Sequence, residues 1–193
     1  ANGCTNPTIQ QASVVVNPAP AMSIVNTSTE ICSNSPVSIT LNSPTSGAII
    51  TLTGVTYNGV IGTLTAPKTY TTGSIISETL LNNSNSPITV TYSFTVAANG
   101  CSNPTTFTTN VLVNPNPGLV VTNNTATICS GSTPLISVSS PTANAEIALQ
   151  AVSYGTLLNG VYTGGATFAL NGTLAEGNLI NNSVNPIVVT YTF

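Results

Sequence analysis

Charged side chains are almost absent from this 193-residue chain, which has one Lys or Arg residue and four Asp or Glu residues. They make up 3% of the sequence, against about 25% in a typical soluble protein. There is no histidine, so a serine or cysteine nucleophile has no imidazole base. We therefore predict a protein that is not an enzyme, with no catalytic residue, no cofactor and no metal site.

The scarcity of positive charge also limits the partners. A single cation and a formal net charge of −3 cannot neutralise the phosphates that a nucleic-acid binder must contact. No apolar run approaches the roughly 20 residues that a membrane-spanning helix needs. We expect neither nucleic-acid binding nor membrane insertion. The chain begins with neither an initiator Met nor a signal peptide, so we expect a mature protein or a fragment of a longer one.

Hydrophobic residues nevertheless make up 41% of the chain, which is enough to bury a core. Many of them are Val and Ile, which together with Thr favour strands because their branched side chains suit a pleated surface. The 15 Gly and 13 Pro residues, together with abundant Asn and Ser, supply turns. No segment shows a helical period with caps. The composition indicates an all-β, folded protein.

The sequence contains an internal repeat. Residues 1–4 (ANGC) recur at 98–101, residues 31–33 (ICS) at 128–130, and the NPxP element of residues 17–20 at 114–117, each with an offset of 97 (for example 98 − 1). Further along, residues 90–92 (VTY) recur at 189–191 with an offset of 99. A period of about 97–99 residues is the size of an independent β-sandwich domain.

The NPxP elements are the natural boundaries, because two closely spaced prolines hold an extended backbone and cannot lie inside a central strand. This division makes residues 1–18 the last hairpin of a preceding repeat and residues 19–115 a complete β-sandwich repeat. Residues 116–193 are then a second repeat that lacks its final hairpin. The alternative division, 1–97 and 98–193, fits the chain ends but cuts the repeats in mid-sheet.

Short alternating runs bounded by turn residues predict strands at 22–26, 37–41, 48–53, 75–81, 88–97 and 106–113. The run at 88–97 is the clearest and places Val90, Tyr92, Phe94 and Val96 on one face. The pair Asn99-Gly100 predicts a hairpin that joins this strand to the next. About seven strands in each repeat predict tandem immunoglobulin-like antiparallel β-sandwiches.

These motifs, in this order, resemble the PKD-like or Ig-like repeats of giant cell-surface adhesins in Bacteroidota. The resemblance is carried by an early Ile-Cys-Ser element at 31–33 and 128–130, and by a segment with Val-Thr-Tyr at 80–92 and 179–191. An Asn-Gly-Cys turn at 99–101 and a Val-x-Val-Asn-Pro-x-Pro exit at 111–117 complete it. The resemblance implies an extended filament at the bacterial cell surface, secreted by the type IX system, that acts in adhesion or gliding motility.

The four cysteines are candidates for disulfides, as expected in an oxidising extracellular setting. Four cysteines allow three pairings, and we leave the pairing open. One option joins Cys32 to Cys101 within a repeat and leaves Cys4 and Cys129 to pair with cysteines outside this window. A standard sandwich, however, places Cys32 and Cys101 at opposite ends. Another option is Cys4 with Cys32 and Cys101 with Cys129.

The five charged side chains suggest no further site. Lys68 is the one cation, and we expect it in a solvated loop rather than in a Lys–Asn isopeptide bond. The glutamates are dispersed and lack the Asp clusters of calcium sites. We expect Glu146 and Glu176 to be edge or loop charges that discourage aggregation through strand edges.

The function predicted is a structural and adhesive repeat region of a secreted bacterial surface filament. Its expected partners are neighbouring repeats of the same chain or filament, with surface polysaccharide or other cell-surface proteins as further candidates. One alternative is a self-assembling extracellular fibre, in which the spare strand at residues 5–17 completes the second repeat of another copy. Another alternative is a carbohydrate- or ice-binding module that uses Thr and Asn side chains.

Overall fold

The computed structural model of the protein describes residues 2–5 and 8–193, and every regular element in these ranges is a β-strand. Residues 1, 6 and 7 fall within the segment predicted to be a hairpin of a preceding repeat, and that part of the prediction lies outside the described residues. The stretch 8–18 contains no strand. We call residues 19–115 the first repeat and residues 116–193 the second repeat.

The strands of the first repeat alternate with turns and loops. They are β1 (Ser23–Asn26), β2 (Glu30–Cys32), β3 (Ser35–Pro36), β4 (Ile39–Asn42), β5 (Ile49–Thr56), β6 (Lys68–Thr71), β7 (Ser74–Ile76), β8 (Thr79–Leu80), β9 (Ile88–Ala98), β10 (Cys101–Ser102) and β11 (Phe107–Asn114).

Two sheets form the first repeat. One has the strand order β1-β4-β7 and the other the order β2-β11-β9-β5-β6, while β10 pairs with β9, and β3 with β8. One hydrophobic cluster joins the two sheets, with Ile39 and Leu41 contributed by the first and Ile50, Leu52 and Val111 by the second. The prediction of an all-β, immunoglobulin-like sandwich is confirmed.

Strand β9 is the centre of the larger sheet. The predicted inward residues Val90, Tyr92, Phe94 and Val96 are all buried, because every second side chain of a strand points to the same face. The predicted hairpin also forms, and β9 pairs antiparallel with β11. Asn99 and Gly100, which start its turn, have φ angles of 51° and 80°, in the left-handed region that Asn and Gly adopt most readily.

Two features of the larger sheet were not predicted. Strand β6, which begins at Lys68, forms its far edge. Strand β2 lies parallel to β11, with Ile31 opposite Val113 and Cys32 opposite Asn114, so the sandwich is not purely antiparallel. Only three residues form β2, and their alternation is too short to reveal a strand that depends on a partner about 80 residues away.

The second repeat is less regular. Its strands are β12 (Val120–Asn123), β13 (Ile136–Ser139), β14 (Ile147–Ala148), β15 (Ala151–Ser153), β16 (Thr167–Phe168), β17 (Asn171–Leu174) and β18 (Thr190–Thr192).

The sheet β12-β13-β17 corresponds to β1-β4-β7 of the first repeat, and the pair β15-β18 corresponds to β5-β9. In the first repeat β9 also pairs with β11, whereas β18 pairs with β15 alone among the described residues. Within the described residues, β18 therefore has a hydrogen-bonded neighbour on one side, whereas β9 has neighbours on both sides.

Candidate functional site

A buried carboxylate lies at the end of the first repeat's core. The side chain of Glu78 is 6% exposed, and its oxygens accept hydrogen bonds from the hydroxyls of Tyr57 (2.8 Å) and Tyr92 (2.7 Å). The backbone N–H groups of Thr63 (2.6 Å) and Leu64 (3.1 Å) donate to the same carboxylate. Each oxygen therefore has donors directed at it, as a buried charge requires.

The second repeat builds the same arrangement from equivalent residues. Glu176 is 4% exposed and accepts hydrogen bonds from the hydroxyls of Tyr154 (2.6 Å) and Tyr191 (2.9 Å) and from the backbone N–H of Val161 (3.0 Å). The backbone N–H of Tyr162 donates to the Tyr154 hydroxyl, as that of Leu64 does to Tyr57. We call the two arrangements the glutamate–tyrosine clusters.

This burial corrects the prediction for Glu176, which is neither an edge charge nor a solvated loop charge. The signal in the sequence is its recurrence, since the offsets for Tyr57/Tyr154, Glu78/Glu176 and Tyr92/Tyr191 are 97, 98 and 99. Glutamate alone gives no sign of burial, because it is among the residues least often found inside a protein. Glu146, by contrast, is exposed as predicted.

The phenols, and not a cation, stabilise these carboxylates. Burial raises the pKa of Tyr57 and Tyr92 well above the usual 10.0, and the hydrogen bond to Glu78 raises it further. In the second repeat, burial raises the pKa of Tyr154, and the hydrogen bond to Glu176 raises it further, to about 12. The same two causes raise the pKa of Tyr191. All four phenols therefore remain protonated donors at neutral pH.

A glycine lies against the first tyrosine of each cluster. A Cβ atom on Gly62 would lie 2.1 Å from Cε1 of Tyr57 and 2.7 Å from Oε2 of Glu78. A Cβ atom on Gly160 would lie 2.2 Å from the ring of Tyr154. All three distances are shorter than the contacts that real Cβ atoms make, so only glycine fits beside each ring.

The carboxylates of the clusters are saturated with donors from tyrosine hydroxyls and backbone N–H groups. In residues 2–5 and 8–193 there is no group of three or more His, Cys, Asp or Glu side chains that could hold a metal ion. In the first repeat, the arrangement ties the loop at 63–64, Tyr57 just after β5 and Tyr92 on β9 to one acceptor. Its chemistry is that of a structural polar core.

Lys68 lies on strand β6 and not in a loop, but it is exposed as predicted. Its Nζ atom lies 5.5 Å from the centre of the Tyr70 ring, a cation–π distance.

The candidate cysteines are spread along the chain, and all four are free thiols. Cys4, Cys32 and Cys129 are exposed, and Cys101 is half-buried. Their pairing in an oxidising environment stays a prediction.

One pairing does not fit the geometry of the first repeat. Cys32 lies beside Asn114, at the end of the sheet where β9 begins, and Cys101 pairs with Ala98, where β9 ends. β9 runs from residue 88 to residue 98, so these ends are about 33 Å apart at about 3.3 Å per residue. A disulfide needs Cα atoms within about 7 Å. Cys32 and Cys101 of one repeat are too far apart to bond.

A surface depression lies on the second repeat, beside β18. It has a volume of about 650 Å³ and is lined mainly by two stretches, 125–130 and 183–189, together with Leu179 and Tyr191. We call it the edge groove.

Comparison with known proteins gives one family match. Residues 29–117 match the PKD-like domain family, which is a little under half of the chain. The match supports the prediction of a PKD-like repeat, a type of module that is typically extracellular and has structural or adhesive roles. No curated protein matches the chain. Among the described residues, no helix is long and apolar enough to cross a membrane.

The first prediction concerns the buried carboxylate. Replacing Glu78 by Gln turns one acceptor into an NH₂ donor that faces other donors, so we expect a loss of about 1–3 kcal/mol in the free energy of unfolding. Chemical denaturation followed by tyrosine fluorescence measures it. Glu146→Gln is the control, and we expect it to change stability by less than about 0.5 kcal/mol. Equal effects of the two substitutions would contradict a structural role for the cluster.

The second prediction concerns the close approach of Gly62 to Tyr57. Gly62→Ala pushes the ring off its hydrogen bonds, and we expect it to destabilise the protein by about 1–3 kcal/mol. Gly54→Ala is a matched control, because a Cβ atom there meets nothing within 4 Å. If thermal unfolding shows the two variants to be equally stable, the ring does not hold the position described.

The third prediction concerns pH. The folded-state pKa of each cluster phenol is above its unfolded value of 10.0, so its contribution to stability is complete below pH 10. The contribution falls as the pH rises from 10 through the folded pKa, which is about 12 for Tyr154. We expect the free energy of unfolding, measured in reductant, to decrease above pH 10. The variant Tyr57→Phe/Tyr92→Phe should show a smaller decrease in the free energy of unfolding above pH 10. If the variant and the original chain show the same pH dependence, ionisation of these phenols is not its cause.

Proposed function

We propose that this chain is part of an extracellular filament of β-sandwich repeats, with a structural and adhesive role at a bacterial cell surface. The more specific assignment, to adhesion or gliding motility after type IX secretion, rests on the resemblance of the motifs to repeats of giant surface adhesins. The PKD-like match to residues 29–117 supports the module type.

The observation that carries this proposal is that the chain enters and leaves the first repeat at opposite ends. The oxygen of Pro20 accepts a hydrogen bond from Asn103 (2.8 Å), and the side chain of Asn17 donates to the oxygen of Asn99 (3.0 Å). The chain leaves after Asn114, about 33 Å away along the sheet. We call these the Asn99 end and the Asn114 end. Repeats joined in this way add their lengths.

The proline elements that flank the repeat favour the same arrangement. Residues 17–20 precede the repeat and residues 114–117 follow it, each with two prolines that restrict the backbone. A short stiff connector holds neighbouring repeats apart and limits the angle between them.

The four cysteines fit an oxidising extracellular environment. We propose that they form disulfides there, and their pairing stays a prediction. An extracellular oxidant of the disulfide or quinone class would accept the two electrons and two protons released.

Neutral, hydroxyl- and amide-rich surfaces suit a polysaccharide or another uncharged cell-surface partner. Asn, Ser and Thr supply donors and acceptors without the desolvation cost of charges. These features support surface polysaccharide or other cell-surface proteins as adhesive partners, beside neighbouring repeats.

A self-assembling fibre is the second candidate function that the sequence allows. The two candidates are compatible, because a fibre can also serve as an adhesive filament.

Small-angle X-ray scattering on the monomer fraction tests the rod. A compact 193-residue protein has a radius of gyration of about 16 Å. Two repeats end to end should give a clearly larger value and an extended distance distribution, whereas a value near 16 Å would contradict the filament. Adhesion is tested by measuring how well beads that carry the chain are retained under flow on films of dextran or alginate. Beads that carry the Glu78→Gln variant are the comparison.

A further inference from the structure

The two repeats are joined by residues 114–117, and the first repeat holds the start of this connector. The backbone oxygen of Asn114 accepts a hydrogen bond from the N–H of Ser33 (2.7 Å), and the side chain of Asn114 donates to Oε1 of Glu30 (2.7 Å). Pro115, the next residue, is buried. The chain is therefore fixed in place as far as Pro115.

The second repeat holds the chain again at Gly118. The backbone N–H of Gly118 donates to Oγ1 of Thr142 (3.2 Å), and the side chain of Thr142 is buried. The ring of Pro141 lies against Gly118, so closely that a Cβ atom there would be 3.2 Å from Cγ of the proline. Only Asn116 and Pro117 separate the two points of attachment.

The first repeat holds its own incoming chain with the same element. The backbone N–H of Ala21 donates to Oγ1 of Thr45 (3.2 Å), and Oγ of Ser43 donates to the oxygen of Ala21 (2.6 Å). The sequence Ser-Pro-Thr stands at residues 43–45 and again at residues 140–142. We call each of these elements, with the residue that it holds, a connector clasp.

The two residues between the attachments have little conformational freedom. The ring of Pro117 fixes its own φ angle and restricts Asn116 to extended backbone, because helical backbone before a proline clashes with the ring. Pro115 restricts Asn114 in the same way. The step from residue 114 to residue 118 spans only about 12 Å of extended chain, at about 3.1 Å per residue. The connector is therefore short and has few bonds about which it can rotate.

We infer that this connector is a rigid strut, fixed at both ends, that holds the second repeat at one orientation relative to the first. A hinge would need free chain or freely rotating residues, and residues 114–118 provide neither. The inference rests on the proposed filament and deepens it. Because the connector clasp and the proline element recur, each joint repeats the same orientation, and the filament acquires a regular twist.

Residual dipolar couplings of the backbone amides test the strut without probes attached to the cysteines. The 193-residue chain is measured in reductant, in a dilute aligning medium, and the couplings of each repeat give an alignment tensor. Repeats joined rigidly share one tensor, so we expect the same magnitude and the same axes from both. Repeats that move independently give unequal tensors, and that result would overturn the inference.

Two variants show whether the named residues cause the rigidity. Pro117 is exposed, so Pro117→Gly frees the backbone without removing a packed side chain. Thr142→Val keeps the shape of the side chain and removes the oxygen that holds Gly118. We expect each variant to lose the common tensor while the amide spectrum of the first repeat stays unchanged. A common tensor retained in both variants would contradict the inference.

Thr45→Val and Pro18→Gly are the matched controls. Thr45→Val removes the same hydroxyl from the connector clasp of the first repeat, and Pro18 is an exposed proline of the element before that repeat. Neither residue lies between the two repeats, so we expect both variants to keep the common tensor. If Thr45→Val loses it as Thr142→Val does, the hydroxyl acts on general stability and the role given to Thr142 is wrong.

The scattering measurement separates this inference from the filament itself. A chain that is elongated in solution but whose repeats have unequal tensors keeps the filament and rejects the strut. A compact chain contradicts the filament, whatever the tensors show.

Discussion

One buried carboxylate in each repeat organises the structure around it. In a chain with a single Lys or Arg side chain, the described residues hold Glu78 and Glu176 each by two phenols and by backbone N–H groups. A buried charge is tolerated only when its hydrogen bonds are complete, so the two tyrosines and the loop that supplies the N–H groups are fixed together. The glycine beside the first tyrosine follows from the same constraint, because the ring can reach the carboxylate only where no Cβ atom intervenes.

Much of the fold could be predicted from the sequence because local signals and the repeat agree. The alternation at Val90–Val96 and the Asn99-Gly100 pair each depend on a few neighbouring residues, and both predictions are confirmed. The burial of Glu176 could not be predicted from its own type, since what holds it comes from residues up to 22 positions away. Strand β2 was missed for a similar reason, because its partner is remote and parallel. The pairing of the cysteines stays a prediction.

The two repeats share the glutamate–tyrosine cluster and the first sheet, although their larger sheets differ. The glutamate–tyrosine cluster is intact in the second repeat although β18 has a neighbour on one side only among the described residues. The first sheet is also retained, as β12-β13-β17. What changes is local to the edge groove, where the equivalents of fully buried residues become accessible and the segment corresponding to β2 is not a strand.

The parallel pairing of β2 with β11 determines how the first repeat responds to tension. The chain reaches β2 from the Asn99 end and leaves β11 at the Asn114 end, so pulling on the two connectors drives these strands past each other along their axes. The hydrogen bonds from Leu112 to Thr29 and from Ser33 to Asn114 lie across that direction and share the load, in contrast to a hairpin that opens one bond at a time. A repeat built in this way resists extension through shear, which is the mechanical property that a tether under flow or drag requires.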